Sequence, residues 1–168
     1  MVSRAHGALT VPDVDDAQFR QLLGRFATGV VVITLTAPDG RPHGMTANSL
    51  ASVSLRPPLL SVAIDHGAAM HDLLVGSDRF VINILSGHQE ELSRRFADPY
   101  DDRFDGVGYH PGQYGGVLLD GALAHIECVR QNTVEAGDHT IVVGRVVAGS
   151  TGDGRPLLYY RGGYGAFE

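Results

Sequence analysis

The stretch HGMTANSLASVSLRPPLLSVAI, residues His43–Ile64, combines three different kinds of sequence. It begins with small polar residues, passes through Pro57-Pro58, and ends in the apolar run Leu59–Ile64. A short continuous apolar run bounded by turn residues predicts a buried strand. Proline has no N–H to donate, so the pair is expected just before that strand, where it helps to fix the register. The stretch therefore predicts β-structure in the core, with a small polar segment beside it.

Length and composition restrict the class of protein. The chain has 168 residues, a net charge of −6 and no lysine, which predicts a single domain and argues against a nucleic-acid partner. We expect residues 1–14 to form a flexible N-terminal arm and residues 15–168 to form the domain. No apolar run is long enough to span a bilayer and the N-terminus lacks a secretory signal, so we expect a cytoplasmic protein without membrane contact. The one cysteine, Cys128, excludes an intrachain disulfide.

The first predicted helix spans Asp15–Ala27. Its apolar residues recur at positions i, i+3, i+4 and i+7, which is the spacing of one helical face. Asp13 or Asp15 is expected to cap the N-terminus of this helix, and Gly29 to close its C-terminus. The apolar residues on this face are Phe19, Leu22, Leu23 and Phe26.

Most of the remaining chain has the pattern of strands rather than helices. A long loop, Asp98–Gly116, interrupts the strands, and its length suggests a lid or a partner contact. Because many strands accompany only two good helices, a mostly antiparallel barrel is favoured over a doubly wound fold. The predicted strands are Val30–Thr36, His43–Ala51, Leu59–Ile64, Phe80–Leu85, Ala122–Val134, His139–Ala148 and Leu157–Tyr160, and the further helical segments are Ala69–Val75 and Gly87–Ala97, the latter with Leu92 and Phe96 on its inner side.

The small residues Thr46-Ala47-Asn48-Ser49 form the first candidate site. They fit two interpretations: the turn chemistry of a strand end, or a surface that holds the edge of a flat heteroaromatic ring. Small side chains would let the backbone approach the carbonyl oxygens and ring nitrogens along such an edge. The segment alone leaves both interpretations open.

Two later segments are further candidates. Gly137-Asp138-His139 lies between two predicted strands. It is either a hairpin turn with a surface imidazole or a pocket mouth that presents His139 to a second substrate. The segment Tyr159–Tyr164, which contains Arg161 and two glycines, either binds a planar, phosphate-bearing ligand or caps the last strand.

Several catalytic motifs are absent from the sequence. The eight histidines include no H-x-x-x-H pair and there is no second cysteine, so no local metal site is predicted. Neither a G-x-S-x-G elbow nor a G-x-G-x-x-G fingerprint occurs. A nicotinamide dinucleotide would therefore have to bind without a Rossmann domain.

A series of short motifs runs in order along the chain from about Phe19 to Tyr164. Each motif is weakly specific alone, whereas the ordered set is specific. The motifs are GRFATGV (24–30), GMTANS (44–49), SLRPP (54–58), FVINILS (80–86), RF (103–104), GALA (121–124), GDH (137–139) and YRGGY (160–164). The set resembles the short-chain flavin reductases, the NAD(P)H-dependent components of two-component flavin monooxygenases.

The resemblance implies a mostly β protein with a few helices. It implies an FMN-binding, Greek-key-like split β-barrel that works as a homodimer, with the flavin near the dimer interface. The 46–49 segment would border the isoalloxazine, and the 137–139 segment would line the nicotinamide site. Asp65 and His66 would approach the ribityl phosphate, Ser86 and Gln89 would lie along the nucleotide side, and Arg161 would support a phosphate or the interface.

One segment departs from the family pattern. After the Leu59–Ile64 strand, relatives carry serine or threonine hydroxyls that contact the flavin phosphate, whereas this chain reads His66-Gly67-Ala68-Ala69-Met70-His71. Each missing hydrogen bond weakens binding by about 0.5–1.5 kcal/mol. Backbone N–H groups or the two histidines remain as alternative anion ligands. The departure predicts loose flavin binding or a preference for FAD over FMN.

The activity implied by the resemblance is hydride transfer from nicotinamide C4 to flavin N5. FMN or FAD would accept the hydride, NADH or NADPH would donate it, and a partner monooxygenase would receive the reduced flavin. We expect His139 to position the nicotinamide, and the lack of an arginine cluster for a 2′-phosphate favours NADH. The alternatives are a flavoprotein that retains its flavin as an electron carrier, a non-catalytic flavin- or haem-binding barrel, and a structural barrel with a degraded site.

Overall fold

The structure is a computed structural model that describes residues 11–99 and 102–166. The described chain is mostly β with three helices, in agreement with the predicted class. Most of the predicted N-terminal arm, residues 1–10, lies outside the described residues. The helices are α1 (Asp16–Leu23), α2 (His71–Gly76) and α3 (Glu90–Ala97), and the strands are β1 (Thr28–Gly29), β2 (Val31–Thr36), β3 (Pro42–Ala47), β4 (Ala51–Leu55), β5 (Pro58–Asp65), β6 (Arg79–Ile84), β7 (Tyr109–Pro111), β8 (Val117–Leu119), β9 (Ala124–Ala136), β10 (His139–Thr151), β11 (Leu157–Tyr160) and β12 (Gly163–Ala166).

Seven strands form one antiparallel sheet in the order β3-β2-β6-β9-β10-β5-β4. This order puts β3 and β4 at opposite edges, although only residues 48–50 separate the two strands in the sequence. The steps from Ala47 to Ala51 span at most about 14 Å, so the two edges must lie near each other. The sheet is therefore strongly curled, but its hydrogen-bond ladder stays open between β3 and β4. A closed barrel is not formed.

The core has two apolar clusters on the two faces of β2. Val31 and Ile33 point into the cluster enclosed by the curled sheet, together with residues of β5 and β6. Val32 points to the opposite face, where Phe96 of α3 packs against it. Because β2 is covered on both faces, its nearly continuous apolar sequence is physically required.

The strand after Pro57 differs in one respect from its prediction. Pro58 is the first residue of β5, as expected for a residue that cannot donate to the ladder. Leu60, Val62 and Ile64 are buried, but the residues between them are only half-buried. The prediction of a buried strand is therefore confirmed for one of its two faces. One face of β5 packs on the core and the other is partly open.

The first helix is shorter than predicted. Asp15 caps it by accepting a hydrogen bond from the Gln18 N–H at 2.7 Å, but the helix ends at Leu23, with Gly24 as its C-cap. The chain then pairs with β11, so Gly29 lies in a strand and does not close the helix. This tertiary pairing overrides the local helical pattern.

The predicted apolar face of α1 is present but uncovered. No residue of α1 is buried, and Phe19, Leu22 and Leu23 are about half exposed at 55%, 56% and 52%. Phe26, just after the helix, is 72% exposed. A contiguous apolar patch of this kind is typical of an interaction surface.

The stretch predicted as a long loop contains the short strand β7, which pairs with β8. All three residues of β8 are buried, so this strand provides the apolar anchor that the exposed β7 lacks. The final strand β12 was not predicted, because its glycines hide the strand pattern, and it pairs with β11 across a tight turn. Across the part of the chain that the structure describes, no helix is long and apolar enough to cross a membrane.

Candidate active site

The 46–49 segment joins the two open edges of the sheet. Thr46 donates a hydrogen bond from Oγ1 to the Ser93 carbonyl of α3 at 2.7 Å. Ser49 Oγ donates to the Ala63 carbonyl at 2.9 Å and accepts from the Ala63 N–H at 3.1 Å. These hydroxyl hydrogens are therefore used to fix the segment between α3 and β5.

The groups that this segment leaves for a ligand are on its backbone and at Asn48. Asn48 is exposed, and Ala47 contributes only a methyl group to the edge of the core. Since β3 is an edge strand, one side of its backbone has no strand partner. The segment thus offers backbone N–H and C=O groups and one amide without a bulky side chain between them.

Gly137 and Asp138 form the hairpin turn between β9 and β10, and His139 is the first residue of β10. Gly137 has φ +67°, a conformation that favours glycine. His139 is the cross-strand partner of Asp65 at the end of β5. Ligand atoms of Asp65, Asp138 and His139 all lie within 4.8 Å of one another. The fold therefore brings together three predicted site residues that are distant in sequence.

The imidazole of His139 has a defined partner. Its Nδ1 lies 2.7 Å from Asp138 Oδ1, and because a carboxylate only accepts, Nδ1 carries the hydrogen. The hydrogen bond from His139 holds the pKa of the Asp138 carboxyl below its usual range. Nδ1 is used in this way, which leaves Nε2 as the ring nitrogen for another partner.

The two groups of candidates flank the C-terminal end of β5, with Ser49 on its β4 side and His139 on its β10 side. Ser49 is bonded to Ala63, which precedes Asp65 by two residues on β5. Two residues of strand correspond to about 7 Å. Ser49 and His139 therefore lie near the same end of β5, one on each side of this strand.

The segment after β5 carries a network that the sequence did not reveal. Thr140, fully buried, donates from Oγ1 to Glu135 at 3.0 Å, so His71 Nε2, 2.9 Å away, must donate to Thr140. His66 Nε2 lies 3.0 Å from the second Glu135 oxygen. No local signal could identify this network, because His71 and Thr140 are 69 residues apart.

Ser86 and Gln89 are buried and bonded to each other. Ser86 Oγ donates to Gln89 Oε1 at 3.1 Å or to the Gly121 carbonyl at 3.0 Å, and Gln89 Nε2 donates to the Asp120 carbonyl at 2.9 Å. These contacts fix the turn between β6 and α3 against residues 120–121. Their polar atoms are engaged within the protein, and a nucleotide contact by these side chains stays a prediction.

Arg161 lies apart from the other candidates. It occupies the turn between β11 and β12 with φ +52°, and its N–H donates to the Gly24 carbonyl at 3.1 Å. It is exposed and lies beside the C-terminal end of α1, whose apolar face is uncovered. Its predicted roles, at a phosphate or at an interface, both stay predictions.

Comparisons with known proteins identify the family of this chain. The family model described as "Flavin reductase like domain" matches residues 23–168, which include every candidate site residue. The chain therefore belongs to the flavin reductase-like domain family.

Individual relatives are similar over most of their length. A "Flavin reductase (NADH)" of Kitasatospora aureofaciens is 43% identical over 155 residues, which cover 90% of this chain and 81% of the relative. The reductase component of a 4-nitrophenol 4-monooxygenase/4-nitrocatechol 2-monooxygenase of Rhodococcus opacus is 38% identical, covering 92% and 82%. The solved NADH:FAD oxidoreductase SgcE6 of Streptomyces globisporus, in complex with NAD and FAD fragments, has a TM-score of 0.87 and 38% identity, covering 92% of this chain and 93% of that chain.

Proposed function

We propose that this chain is an NADH-dependent flavin reductase that supplies reduced FMN or FAD to a partner monooxygenase. The observation that carries the proposal is that Ser49 of the open 46–49 segment and His139 lie near the same end of β5 in a chain of the flavin reductase-like family. The similar NADH-dependent reductase and monooxygenase reductase component support NADH as donor and a monooxygenase as recipient.

The 46–49 segment fits the edge of a flavin ring. An isoalloxazine edge carries both hydrogen-bond acceptors and an N–H, and the unpaired side of β3 offers the complementary backbone groups. A bound flavin supplies the hydride acceptor, and this chemistry belongs to the flavin. The roles of Thr46 and Ser49 are to hold the backbone of the segment rigid through α3 and β5.

His139 is assigned the nicotinamide side of the site. Asp138 fixes its Nδ1 hydrogen and thereby its ring orientation, leaving Nε2 to accept a hydrogen bond or, if protonated, to donate one. Gly137 and Asp138 would line the same mouth. No side chain of the chain is required to act as acid or base for hydride transfer itself, so the protein contributes orientation.

The fold and the assembly follow from the same assignment. The curled sheet, open between β3 and β4, is assigned as a split β-barrel, and its open side coincides with the candidate site. The uncovered apolar face of α1 is assigned to the interface of a homodimer, with Arg161 at its rim. Covering this face by a second copy removes the half-exposed leucines and phenylalanines from water.

Stopped-flow absorbance tests the function directly. The purified chain is mixed anaerobically with NADH and either FMN or FAD, and again with NADPH. We expect NADH to bleach the flavin absorbance with saturation in free flavin. Bleaching of one stoichiometric bound flavin without turnover of added flavin would identify a retained electron carrier instead. Flavin binding without NADH oxidation would identify a non-catalytic barrel.

A further inference from the structure

The tip of the β9–β10 hairpin is supported by a neighbouring strand on one side only. On the β10 side, β5 pairs with the hairpin up to His139. On the β9 side, pairing with β6 stops at Val129, and Gln131 is an extra residue in the ladder with β10. A β-bulge of this kind bends the strand that carries it. Within the described chain, residues 132–136 therefore pair with β10 alone, and most of them are exposed.

The segment between β5 and α2 contacts this tip through His66. The His66 N–H donates to the carbonyl of Asp138 in the turn at 3.0 Å. Its ring Nε2 lies 3.0 Å from Glu135 Oε2 on β9, and because a carboxylate only accepts, Nε2 carries the hydrogen. The Glu135 side chain is 73% exposed, so water screens the ring contact and it contributes little by itself.

His71 makes a better protected contact with the same tip. Its Nε2 donates to Thr140 Oγ1 at 2.9 Å, and the same hydroxyl donates to Glu135 Oε1 at 3.0 Å. Thr140 is fully buried, and the His71 side chain is only 16% exposed. His71 Nδ1 lies 2.8 Å from Asp72 Oδ1, which fixes the orientation of the ring. Because loss of a buried hydrogen bond leaves an unpaired polar group, the contact of His71 outweighs that of His66.

These contacts act on the residues that surround His139. Thr140 follows His139 in β10, and Glu135 is the direct cross-strand partner of Thr140. The Thr140 hydroxyl therefore links the two arms of the hairpin to each other and, through His71, to the start of α2. We call His66, His71, Glu135 and Thr140 the His71 network. The network adds side-chain bonds to a tip whose β9 arm has no second neighbouring strand in the described chain.

We propose that Thr140 and His71 are positioning residues for the nicotinamide side of the site, and that they act by fixing the hairpin tip that carries His139. The inference rests on the proposed function, because His139 receives its role there. Without the network the tip is free to bend at the bulge, so the imidazole is held less firmly and more order is lost when a nicotinamide binds. The 66–71 segment, which departs from the family pattern, thereby has a role within the protein.

Two pairs of variants test the network. Thr140→Val removes the hydroxyl at similar volume, whereas Thr140→Ser keeps it. His71→Leu removes the donor, whereas His71→Gln keeps an N–H donor on a side chain of similar length. His71 is less buried than Thr140, so its pair keeps the test valid if Thr140→Val does not fold.

Stopped-flow and steady-state kinetics of the four variants separate binding from turnover. We expect Thr140→Val and His71→Leu to raise the KM for NADH about three- to fivefold, the effect of one lost hydrogen bond, with kcat and flavin Kd nearly unchanged. Thr140→Ser and His71→Gln should keep the KM of the unmodified chain.

A double-mutant cycle tests whether the network acts through His139. In a His139→Ala background, Thr140→Val should have no further effect on the KM for NADH, because the group that it positions is gone. Thr133→Val is the matched control, since it is the same substitution on the same hairpin outside the network. We expect it to leave the KM for NADH unchanged in both backgrounds.

Hydrogen–deuterium exchange gives a readout that needs no cofactor. In the chain without ligand, Thr140→Val should speed exchange of the amides at 134–140 several-fold and leave β2 unchanged. Thr140→Ser and Thr133→Val should leave the exchange of the hairpin unchanged.

An unchanged KM for NADH in Thr140→Val, an equal rise in Thr140→Ser, or an additive effect in the His139→Ala background would each overturn the proposal. Faster exchange without a change in KM would mean that the network only stabilises the hairpin, which overturns it as well. An unmodified chain that does not reduce flavin with NADH would instead refute the proposed function, and this inference with it.

Discussion

His139 and Asp65 are direct cross-strand partners at the ends of β10 and β5, and the Asp138 carboxylate bonds the same imidazole. The position of His139 is thus set by the register of a sheet as well as by a turn. A side chain held in this way keeps its orientation without a ligand, which would lower the entropic cost of orienting the nicotinamide in the proposed site.

Replacing His139 by alanine tests the nicotinamide assignment. We expect His139→Ala to raise the KM for NADH about three- to tenfold, the effect of losing one hydrogen bond, and to leave flavin Kd nearly unchanged. His110→Ala is the matched control, because His110 forms a similar exposed pair with Asp120 at 2.9 Å in a different part of the fold. Unchanged NADH kinetics in His139→Ala would remove this residue from the site.

The titration of Asp138 tests the geometry of the pair. The bond from His139 lowers the pKa of this carboxyl in the folded chain. The pair therefore stabilises the fold above the ordinary range of an aspartate, and this contribution disappears as the pH falls through the lowered value. Carbon-13 NMR of the carboxyl should show a midpoint that rises toward the ordinary value in His139→Gln. An identical midpoint in the variant would show that the pair is absent in solution.

A charge on the α1 face tests the proposed homodimer. We expect Leu22→Glu combined with Phe26→Glu to convert a dimer into a monomer, because a carboxylate at a covered apolar contact must be desolvated. Light scattering after size-exclusion chromatography gives the mass. Gln21→Glu, an exposed position of the same helix, is the control for added charge. A monomeric unmodified chain, or a dimeric double variant, would contradict the assignment.

Gly44 provides a test of the packing of β3 against α3. A Cβ added at Gly44 would lie 2.6 Å from Phe96 Cε1, whereas a Cβ at Gly29 has nothing within 4 Å. We expect Gly44→Ala to lower the free energy of unfolding by about 1–3 kcal/mol, and Gly29→Ala to change it by less than about 0.5 kcal/mol. Urea denaturation followed by circular dichroism measures both. Equal stabilities would mean that β3 and α3 are not packed as closely as described.

The single cysteine provides a test of the core. Burial, followed by the nearby Glu127 carboxylate, raises the pKa of the Cys128 thiol to about 12. At pH 8 the thiolate is then about one part in ten thousand, and the buried sulfur is inaccessible. We expect no alkylation by iodoacetamide in the native chain and full alkylation in urea, as read by mass spectrometry. Rapid labelling of the native chain would contradict the burial of β9.

Strands with strong apolar patterns were predictable from the sequence, and their partners were not. The β2 and β6 runs carry enough β-branched and apolar residues to define strands locally. The end of α1 was not predictable, because pairing of Thr28 with Tyr159 stops the helix and the two residues are far apart in sequence. The exposure of Phe26 likewise has no local signal, since the helical spacing is the same for a buried face and for an interface.

The residues of the candidate site could be chosen from the sequence, but the contacts of their side chains could not be predicted. The small residues at 46–49 and the turn at 137–139 stand out by residue type, and the fold brings them to the same end of β5. The engaged hydroxyls of Thr46 and Ser49 could not be inferred, because their partners are supplied by α3 and β5. The hydrogen bond from Arg103 Nη1 to the Gly44 carbonyl could not be inferred either, because the two residues are 59 positions apart in the sequence.

The three-residue link between β3 and β4 places the candidate site at the opening between the two edges of the sheet. Amide protons on the unpaired side of β3 have no neighbouring strand to slow their exchange with solvent. A flavin bound there would supply hydrogen-bond partners in place of a neighbouring strand. Flavin binding should therefore slow deuterium uptake along β3 and β4 together. The chain would then be less flexible with flavin bound than without it, which suits a reductase that releases its reduced flavin.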